Sequence, residues 1–155
     1  MLVIIEGADG SGKTTLFNEL KHFYKTVKIE RHSIGQFAKY ELCSENDVYI
    51  MDRSFITDIV YRTFDTENRD YIDLKDAAQL LFTGNMKIVL CETDTQYEDS
   101  IRRGEDNITD RQKADNIKQL YNWLCKIFVK FSNTDVLFYN WKESTLDDVL
   151  NFIRR

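Results

Sequence analysis

The sequence predicts an α/β fold with three layers, in which helices cover both faces of a five-stranded parallel sheet. Two observations predict it. Short β-rich apolar runs alternate with segments of helical periodicity, and neither an internal repeat nor a low-complexity linker interrupts that alternation. With 155 residues, 43% hydrophobic and 30% charged, the chain is long enough to bury the core of one domain. We therefore expect a single domain over residues 1–155.

The predicted strands are short runs in which β-branched, aromatic and other apolar residues dominate. The first of them, LVIIEG, opens with four consecutive apolar residues, which is typical of a strand buried on both faces. The predicted strands cover residues 2–7, 26–31, 47–52, 86–92 and 136–140.

The segments between these strands carry apolar residues at helical spacing. A weaker helical pattern covers residues 36–45. The other predicted helices cover residues 14–24, 55–63, 70–82, 96–103, 111–131 and 146–155.

The overall charge and the lack of targeting signals limit the classes of protein to which the chain can belong. Its 26 acidic and 21 basic residues give a net charge of -5, which argues against the nucleic-acid backbone as the main partner. No apolar run approaches the roughly 18 residues that a membrane span needs, and the chain does not begin like a secretory signal. We therefore expect a cytoplasmic protein with no nucleic-acid and no membrane partner.

The cysteines agree with that location. Cys43, Cys91 and Cys125 are odd in number, widely spaced and outside any metal-ligand pattern. Such thiols are typical of a reducing compartment, and we expect them to be buried and inert.

A glycine-rich stretch, GADGSGKTT, lies between the first predicted strand and the first predicted helix. In it, Gly7, Gly12, Lys13 and Thr14 fit the pattern G-x-x-x-x-G-K-S/T, which cradles nucleotide phosphates. Glycines let the backbone wrap around phosphate, so that N–H groups and the helix N-terminus point at the anion. We expect Lys13 to reach the β- and γ-phosphates of ATP, and the Thr14 hydroxyl to bind Mg²⁺.

This loop predicts binding of a nucleoside triphosphate, with ATP and Mg²⁺ as cofactors. The alternative, a glycine-rich turn that only caps a helix, is disfavoured because strand and helix flank the motif as its mechanism requires. Switches, motors and kinases share such a loop, so the loop alone does not name a reaction. The predicted ATP-binding residues are Gly7, Asp9, Gly10, Ser11, Gly12, Lys13, Thr14 and Thr15.

A second polar cluster is predicted where Asp52 and Arg53 follow the third strand. Ligands of open α/β sheets bind at the carboxyl ends of the strands, so this pair should face the phosphate loop. Arg53 offers a planar fork of donors for a phosphate, and Asp52 could orient it or bind a metal-bound water. Arg31, at the end of the second predicted strand, is a candidate for another phosphate contact. The alternatives are a surface salt bridge and a solvated arginine.

The helix that follows carries three polar side chains near the same edge. Thr57 and Tyr61 are four residues apart and share one face of the helix, and Asp58 flanks that face. A hydroxyl, a carboxylate and a phenol grouped in this way can hydrogen-bond a sugar or a base edge. The alternative for Tyr61 is an aromatic residue of the core.

Four stretches together resemble the thymidylate kinases and, more broadly, the nucleoside monophosphate kinases. IEGADGSGKTT resembles the family's phosphate loop, and DRSFITDIVY resembles its D-R-Y/H-x-x-S/T-x-x-x-Y stretch. RRGEDNITDR resembles its arginine-bearing lid, around residues 102–111, and VLFYNWKESTLDDVLNFIR resembles its closing strand, loop and helix. The resemblance implies the P-loop nucleoside triphosphate hydrolase fold in its monophosphate-kinase form.

The resemblance also implies transfer of the γ-phosphoryl group of ATP to a deoxynucleoside monophosphate, with dTMP as the expected acceptor. Carried over by position, Lys13 holds the donor phosphates, Arg53 and Arg31 hold the acceptor phosphate, and Tyr61 lies beside the deoxyribose. Asp9 contacts the acceptor sugar or the metal shell. Dimers are common in the family, which makes a homodimer an expectation.

The chain departs from the family in two places. Some thymidylate kinases carry an arginine in the phosphate loop where this chain has Gly10, so the lid must supply the charge. The region between the second and third strands is abbreviated, which leaves Phe37 or Tyr40 to stack on the acceptor base. The lid candidates are Arg102, Arg103 and Arg111.

Two other functions stay open. Deoxynucleoside kinases carry E-R-S where this chain has Asp52, Arg53 and Ser54, and there Asp52 would be the base that activates a sugar 5′-hydroxyl. Asp9 favours the monophosphate kinase, because the nucleoside kinase loop does not usually hold an acid at that place. A nucleotide-binding switch without catalysis is the second alternative.

The predicted site residues fall into three groups. The catalytic group is Asp9, Lys13, Arg53, Arg103 and Arg111. The substrate-binding group is Asp9, Arg31, Phe37, Asp52, Arg53, Thr57, Asp58 and Tyr61. The metal-binding group is Thr14 and Asp52.

Overall fold

The structure is a computed structural model that describes residues 1–27, 47–64, 86–104, 110–132 and 134–155. In these ranges, strands and helices follow one another in a mostly alternating order. The strands are β1 (Leu2–Glu6), β2 (Lys25–Val27), β3 (Tyr49–Asp52), β4 (Met86–Cys91) and β5 (Asp135–Tyr139). The helices are α1 (Lys13–Leu20), α2 (Phe55–Phe64), α3 (Gln96–Arg102), α4 (Arg111–Phe131) and α5 (Leu146–Arg154).

The strands form one parallel sheet in the order β2-β3-β1-β4-β5. The central strand is β1, in which Ile4 pairs with Met51 of β3 and with Ile88 of β4. The predicted α/β class with a five-stranded parallel sheet is therefore confirmed. β2 and β3 lie on one side of β1, and β4 and β5 lie on the other, so the direction in which the chain adds strands changes at β1. Open α/β sheets bind ligands at the carboxyl ends of the strands at such a point.

Successive residues of β1 feed two separate hydrophobic layers. Leu2 and Ile4 pack with α2 and α4 on one face of the sheet, whereas Val3 and Ile5 pack with α1 and α5 on the other. All five residues of β1 are buried, as expected for a central parallel strand. Burying each such aliphatic side chain contributes roughly 1.5–3 kcal/mol, so this strand anchors both layers.

The C-terminal helix α5 is fixed at both of its ends. At its start, the Thr145 hydroxyl accepts from the Asp148 amide at 3.3 Å, and the Asp148 carboxylate accepts from the Thr145 amide at 2.8 Å. At its end, the buried Lys87 of β4 donates from Nζ to the Phe152 carbonyl at 2.7 Å. The lysine thus satisfies a carbonyl that the helix itself leaves unpaired.

Most element boundaries lie within one or two residues of those predicted, but α1 is shorter. The sequence predicts a helix over residues 14–24, whereas α1 ends at Leu20 and the chain then turns. In this turn, the Phe23 amide donates to the Leu20 carbonyl at 3.0 Å, and β2 begins at Lys25. The apolar Phe23 and Tyr24 continue the helical spacing, but β2 must start early enough to pair with β3.

Two predicted helices, residues 36–45 and 70–82, lie outside the described residues. Cys91 and Cys125 are buried free thiols, as expected, and Cys43 lies outside the described ranges. Within those ranges, no helix is both long and apolar enough to cross a membrane.

Candidate nucleotide-binding site

The loop between β1 and α1 is held by two glycines that approach other backbone segments closely. Gly7 and Gly10 have φ angles of 138° and 81°. A Cβ at Gly7 would lie 2.2 Å from the Cys91 carbonyl oxygen, and one at Gly10 would lie 2.1 Å from the Gln96 carbonyl oxygen. The loop therefore lies against the end of β4 and the start of α3. The same contact gives a physical reason why Gly10 cannot be replaced by the arginine that some thymidylate kinases carry there.

The ammonium of Lys13 lies inside this loop. The residue is only 5% exposed, and its Nζ donates to the Ala8 carbonyl at 2.6 Å. Burial, and after it the nearby Arg53 charge, lower the pKa of Lys13 to about 8. A buried ammonium with one carbonyl partner is a strong anchor for a phosphate, which would supply the missing negative charge.

The other polar side chains of the loop differ in exposure. Thr14 and Thr15, on the first turn of α1, are exposed, and Ser11 is buried. The Ser11 hydroxyl has no hydrogen-bond partner among the described residues. A buried hydroxyl without a partner is costly, so a ligand in the loop would satisfy it.

Asp9 and Arg53 join the phosphate loop to the corner after β3. The Arg53 Nη2 donates to Asp9 Oδ1 at 2.9 Å, in an ion pair that is mostly shielded from solvent. The other amino group, Nη1, is buried and has no partner in the described chain. This pairing answers why an acid lies in an anion-binding loop: the Asp9 carboxylate binds the guanidinium, whose second amino group stays available for an anion.

The backbone of Arg53 adopts a conformation that is rare for its type. Its φ angle is 68°, in the left-handed region, and its amide donates to the Ile5 carbonyl at 3.0 Å. That hydrogen bond extends the pairing of β1 with β3 by one step beyond β3. Because the left-handed conformation costs a non-glycine residue roughly 1–2 kcal/mol, the surrounding contacts must impose it.

Tyr61 lies near the Arg53 guanidinium, and Asp52 directly precedes Arg53 in the chain. Burial raises the pKa of the Tyr61 hydroxyl, and the neighbouring Asp9 carboxylate raises it further, which places Tyr61 beside the ion pair. Asp52 ends β3 with a buried Oδ1 that lacks a hydrogen-bond partner among the described residues. Asp58 lies half-buried in the first turn of α2. Asp9, Arg53 and Tyr61 therefore form one cluster at the carboxyl edge of the sheet.

Thr57 lies inward, although the sequence groups it with Tyr61 on a ligand-facing side of the helix. Its hydroxyl donates to Glu6 Oε2 at 2.6 Å and lies 2.9 Å from the Tyr121 hydroxyl. The side chain is buried and both of its hydrogen-bonding directions are used. The structure thus assigns Thr57 to a polar network beneath the site. Sequence reasoning missed Glu6, whose position directly before Gly7 was the available signal.

The three lid arginines lie at the ends of two helices. Arg102 contacts the buried Asp99 on its own helix, α3, and Arg103 follows it on the surface. Arg111 begins α4, pairs with Glu98 at 3.0 Å and lies over the Tyr97 ring at 5.9 Å. Residues 105–109 between them lie outside the described ranges. The three arginines therefore lie on either side of residues 105–109, where the sequence predicts the lid.

Trp141 is a second residue that sequence reasoning missed. It follows β5, and its indole Cδ1 would lie 2.8 Å from a Cβ at Gly12. The ring is 42% exposed and lies under the Lys142 ammonium, 5.2 Å from its centroid. An exposed indole against the phosphate loop is a surface on which a base can stack. The feature of the sequence that could have identified Trp141 is its position shortly after the last strand, at the edge of the sheet where ligands bind.

The remaining predicted contacts, Arg31, Phe37 and Tyr40, lie outside the described residues. Within the described ranges, no group of three or more His, Cys, Asp or Glu side chains could hold a metal ion. Mg²⁺ in nucleotide sites is bound mainly by phosphate oxygens and water, with one or two protein oxygens. The exposed Thr14 hydroxyl and the unpartnered Asp52 Oδ1 fit that mode of binding.

No protein-family model matches the sequence, and no curated protein matches it. Solved structures do match. YorR from Bacillus subtilis, in complex with phosphorylated GDP, has a TM-score of 0.69 at 17% identity, covering 99% of this chain and 94% of that chain. Deoxyadenosine kinase from M. mycoides with bound dATP has a TM-score of 0.62 at 15% identity and full coverage of both chains, 100% each.

Thymidylate kinase from Candida albicans has a TM-score of 0.62 at 16% identity, covering 99% of this chain and 88% of that chain. At this identity the match concerns the fold, which extends over nearly the full length of the aligned chains. Together with the parallel sheet and its glycine-rich loop, the match shows that this chain has the fold of the P-loop nucleotide kinases.

Proposed function

We propose that the protein is a kinase that transfers the γ-phosphoryl group of ATP to a deoxynucleoside monophosphate, with dTMP as the acceptor. The observation that carries the proposal is the 2.9 Å ion pair between Asp9 and Arg53. It joins the loop that would hold the donor to the corner that would hold the acceptor. Similar folds include a thymidylate kinase and a deoxyadenosine kinase, which supports nucleotide chemistry in general.

On the donor side, the loop amides and Lys13 would hold the phosphates of ATP. Mg²⁺, held by the Thr14 hydroxyl and near Asp52, would neutralise charge on the phosphate oxygens. The exposed indole of Trp141 beside Gly12 would support the base of the same nucleotide. A phosphate oxygen of the acceptor attacks the γ-phosphorus while the bond to the leaving ADP breaks, so the protein needs to position charge more than to supply a nucleophile.

On the acceptor side, the free Nη1 of Arg53 would bind the acceptor phosphate. Its guanidinium is oriented by Asp9 and bordered by Tyr61, which would lie beside the deoxyribose. A phosphate acceptor has its second pKa near 6 and is already a nucleophile at neutral pH, so no general base is needed. The positive charge that some thymidylate kinases carry at the position of Gly10 would come from Arg102, Arg103 or Arg111 when the lid closes.

The first test compares acceptors and one variant. We expect coupled ADP release with dTMP, and lower rates with dUMP, dGMP, dCMP and dAMP. We expect Arg53→Ala to lower kcat/KM for the monophosphate by at least about tenfold, because the acceptor phosphate loses the positive charge and the Nη1 donor of Arg53. The left-handed conformation costs alanine about as much free energy as it costs arginine, so the substitution does not change the strain of the backbone.

Arg154→Ala, which removes an exposed arginine of α5, serves as the control and should keep wild-type kinetics. An unchanged kcat/KM in Arg53→Ala would exclude Arg53 from the acceptor site. No turnover with any acceptor, combined with normal ATP binding, would favour a switch without catalysis.

One observation favours a second function, a deoxynucleoside kinase. The buried Asp52 Oδ1 has no hydrogen-bond partner in the described ranges and could accept a proton from a sugar 5′-hydroxyl. Turnover with thymidine or deoxyadenosine, and none with the monophosphates, would establish this function instead. In that enzyme Asp52→Asn would abolish turnover, whereas in a monophosphate kinase it would weaken Mg²⁺ dependence.

The donor side makes a prediction about pH. The free protein has a Lys13 pKa of about 8, so above that pH the ammonium loses its proton. Because bound phosphate favours the charged form, ATP binding should then take up a proton, and Kd should rise by about tenfold in total between about pH 7 and about pH 9. Calorimetric titrations from about pH 7 to about pH 9, in buffers of two ionisation enthalpies, measure both quantities. A Kd that stays constant over this range contradicts contact between Lys13 and phosphate.

A further inference from the structure

A fully buried carboxylate, Glu6, lies at the end of β1 and has no role in the proposed binding of the ligands. It is 0% exposed and directly precedes the phosphate loop. Its Oε1 accepts from the Ser54 amide at 2.7 Å and from the Ser54 hydroxyl at 2.5 Å. Its Oε2 accepts from the Thr57 hydroxyl at 2.6 Å. These three hydrogen bonds fill most of the acceptor sites of the buried carboxylate and tie it to residues on both sides of the start of α2.

The directions of these hydrogen bonds follow from the donors. Since Thr57 donates to Glu6, the 2.9 Å contact with Tyr121 requires the Tyr121 hydroxyl to donate to Thr57. Ser54 donates its hydroxyl to Glu6 and accepts from the Ile56 amide at 3.2 Å, which caps the start of α2. The network therefore links β1, the first turn of α2 and α4 through one negative charge.

In the sequence, Arg53 lies between Asp52, the last residue of β3, and Ser54, which belongs to this network. Its own amide is held by the Ile5 carbonyl at 3.0 Å, and the next amide, that of Ser54, is held by Glu6. Both sides of the left-handed Arg53 backbone are thus fixed by β1, one by residue Ile5 and the other by residue Glu6. A residue in an unfavourable conformation keeps it only while such contacts hold.

We propose that Glu6 is a positioning residue that holds the Arg53 corner in its left-handed conformation and thereby orients the guanidinium towards the acceptor phosphate. This proposal rests on the proposed function for its kinetic consequence. Its structural consequence, a fixed first turn of α2, does not require turnover.

The state of the carboxyl group gives this role a pH dependence. Burial raises the pKa of Glu6 to about 7, against the lowering effect of the Ser54 and Thr57 hydrogen bonds and of the Lys13 charge. The other titratable groups that act on it are Cys91 of β4, and Tyr121 and Cys125 of α4. A proton on Oε2 becomes a donor facing Thr57, which reverses the hydrogen bonds to Thr57 and Tyr121 and weakens the hold on Ser54.

The test uses Glu6→Gln, which keeps the shape and one oxygen but carries no charge at any pH. At about pH 8 we expect the acceptor KM of Glu6→Gln to be about tenfold above that of the wild type, with similar kcat and unchanged KM for ATP. At about pH 6 the two acceptor KM values should converge, because wild-type Glu6 is then protonated. Because the wild type and Glu6→Gln are compared at the same pH, titration of the acceptor phosphate affects both KM values equally.

A second variant separates positioning from packing. Thr57→Val keeps the volume of the side chain but removes one hydrogen-bond donor to the carboxylate. The acceptor KM should therefore rise, and the pH at which it changes should shift upwards, because loss of a donor raises the pKa of Glu6. Amide hydrogen exchange over residues 53–57 should be faster in Glu6→Gln than in the wild type near pH 8. Exchange needs no turnover, so it tests the inference even if the wild type proves inactive with every acceptor.

Equal acceptor KM values at about pH 8 in an active wild type and in Glu6→Gln would overturn the positioning role. Equal amide exchange over residues 53–57 would overturn it in an inactive protein. Wild-type inactivity with faster exchange in Glu6→Gln would instead reject the proposed function and keep Glu6 as the residue that fixes the corner.

Discussion

Lys13→Met is expected to lower kcat/KM by at least about 10³ while leaving the fold as stable as the wild type or more so. The buried ammonium is unfavourable in the free protein, because its pKa falls from 10.5 to about 8. That shift corresponds to about 3 kcal/mol of lost stability, which is present below about pH 8 and relieved as pH rises towards the unfolded value. Methionine fills the same space without charge, and the Ala8 carbonyl keeps the Ser11 amide as a donor at 3.3 Å.

The matched control is Lys87→Met, which removes another buried lysine. Lys87, a residue of β4, donates from its Nζ to the Phe152 carbonyl near the end of α5 at 2.7 Å. This contact lies away from the phosphate loop. We expect this variant to lose about 1–3 kcal/mol of stability and to keep its turnover. Thermal unfolding and ADP release, measured on both variants, should therefore show opposite patterns. A large loss of stability in Lys13→Met with residual turnover would contradict the assignment of Lys13 to phosphate binding.

Gly10→Ala is expected to cause a large loss of stability. The new Cβ would lie 2.1 Å from the Gln96 carbonyl oxygen and 3.0 Å from the Ser100 nitrogen, where it would wedge into the first turn of α3. Both contacts are with backbone, so relief requires the loop and α3 to separate. We expect a loss of about 3–5 kcal/mol, a large share of the stability of a small domain, and loss of ATP binding in whatever remains folded.

Gly104→Ala is the control for this loss. Gly104 has a φ angle of 68°, and a Cβ there would meet no heavy atom within 4 Å. This variant carries the left-handed strain without the clash and should lose only about 1 kcal/mol. Urea denaturation of both variants gives the difference, which is the cost of the clash alone. Equal losses in the two variants would mean that the loop and α3 are not in close contact.

The parts of the fold that the sequence predicts are those coded locally. Alternating strands and helices, and the glycine-rich loop after a mostly apolar strand, are enough to predict a parallel sheet with the loop at its ligand edge. The end of α1 was predicted four residues late, because Phe23 and Tyr24 continue the helical spacing although the chain must turn to pair β2 with β3. Tertiary pairing overrides local periodicity at such a boundary.

The candidate site also combines residues that a local motif predicts with residues that only tertiary contacts bring together. Lys13, Asp9 and Arg53 are adjacent to motifs and are found from them. Glu6 and Thr57 bond across 51 positions of sequence, and Thr57 and Tyr121 across 64, so no local pattern records their contact. For the same reason Thr57 was assigned to the ligand face: helical spacing places it near Tyr61 but does not show which side contacts β1.

The left-handed backbone of Arg53 also limits which residues can replace it. Glycine, asparagine and aspartate adopt a φ angle near 68° most easily, but none of them carries a positive charge. Lysine carries the charge but lacks the planar fork that binds Asp9 and an anion together. Every substitution at this position therefore loses backbone fit, charge or geometry, so we expect variation among functional versions of this chain to spare Arg53 and to fall on the surrounding surface.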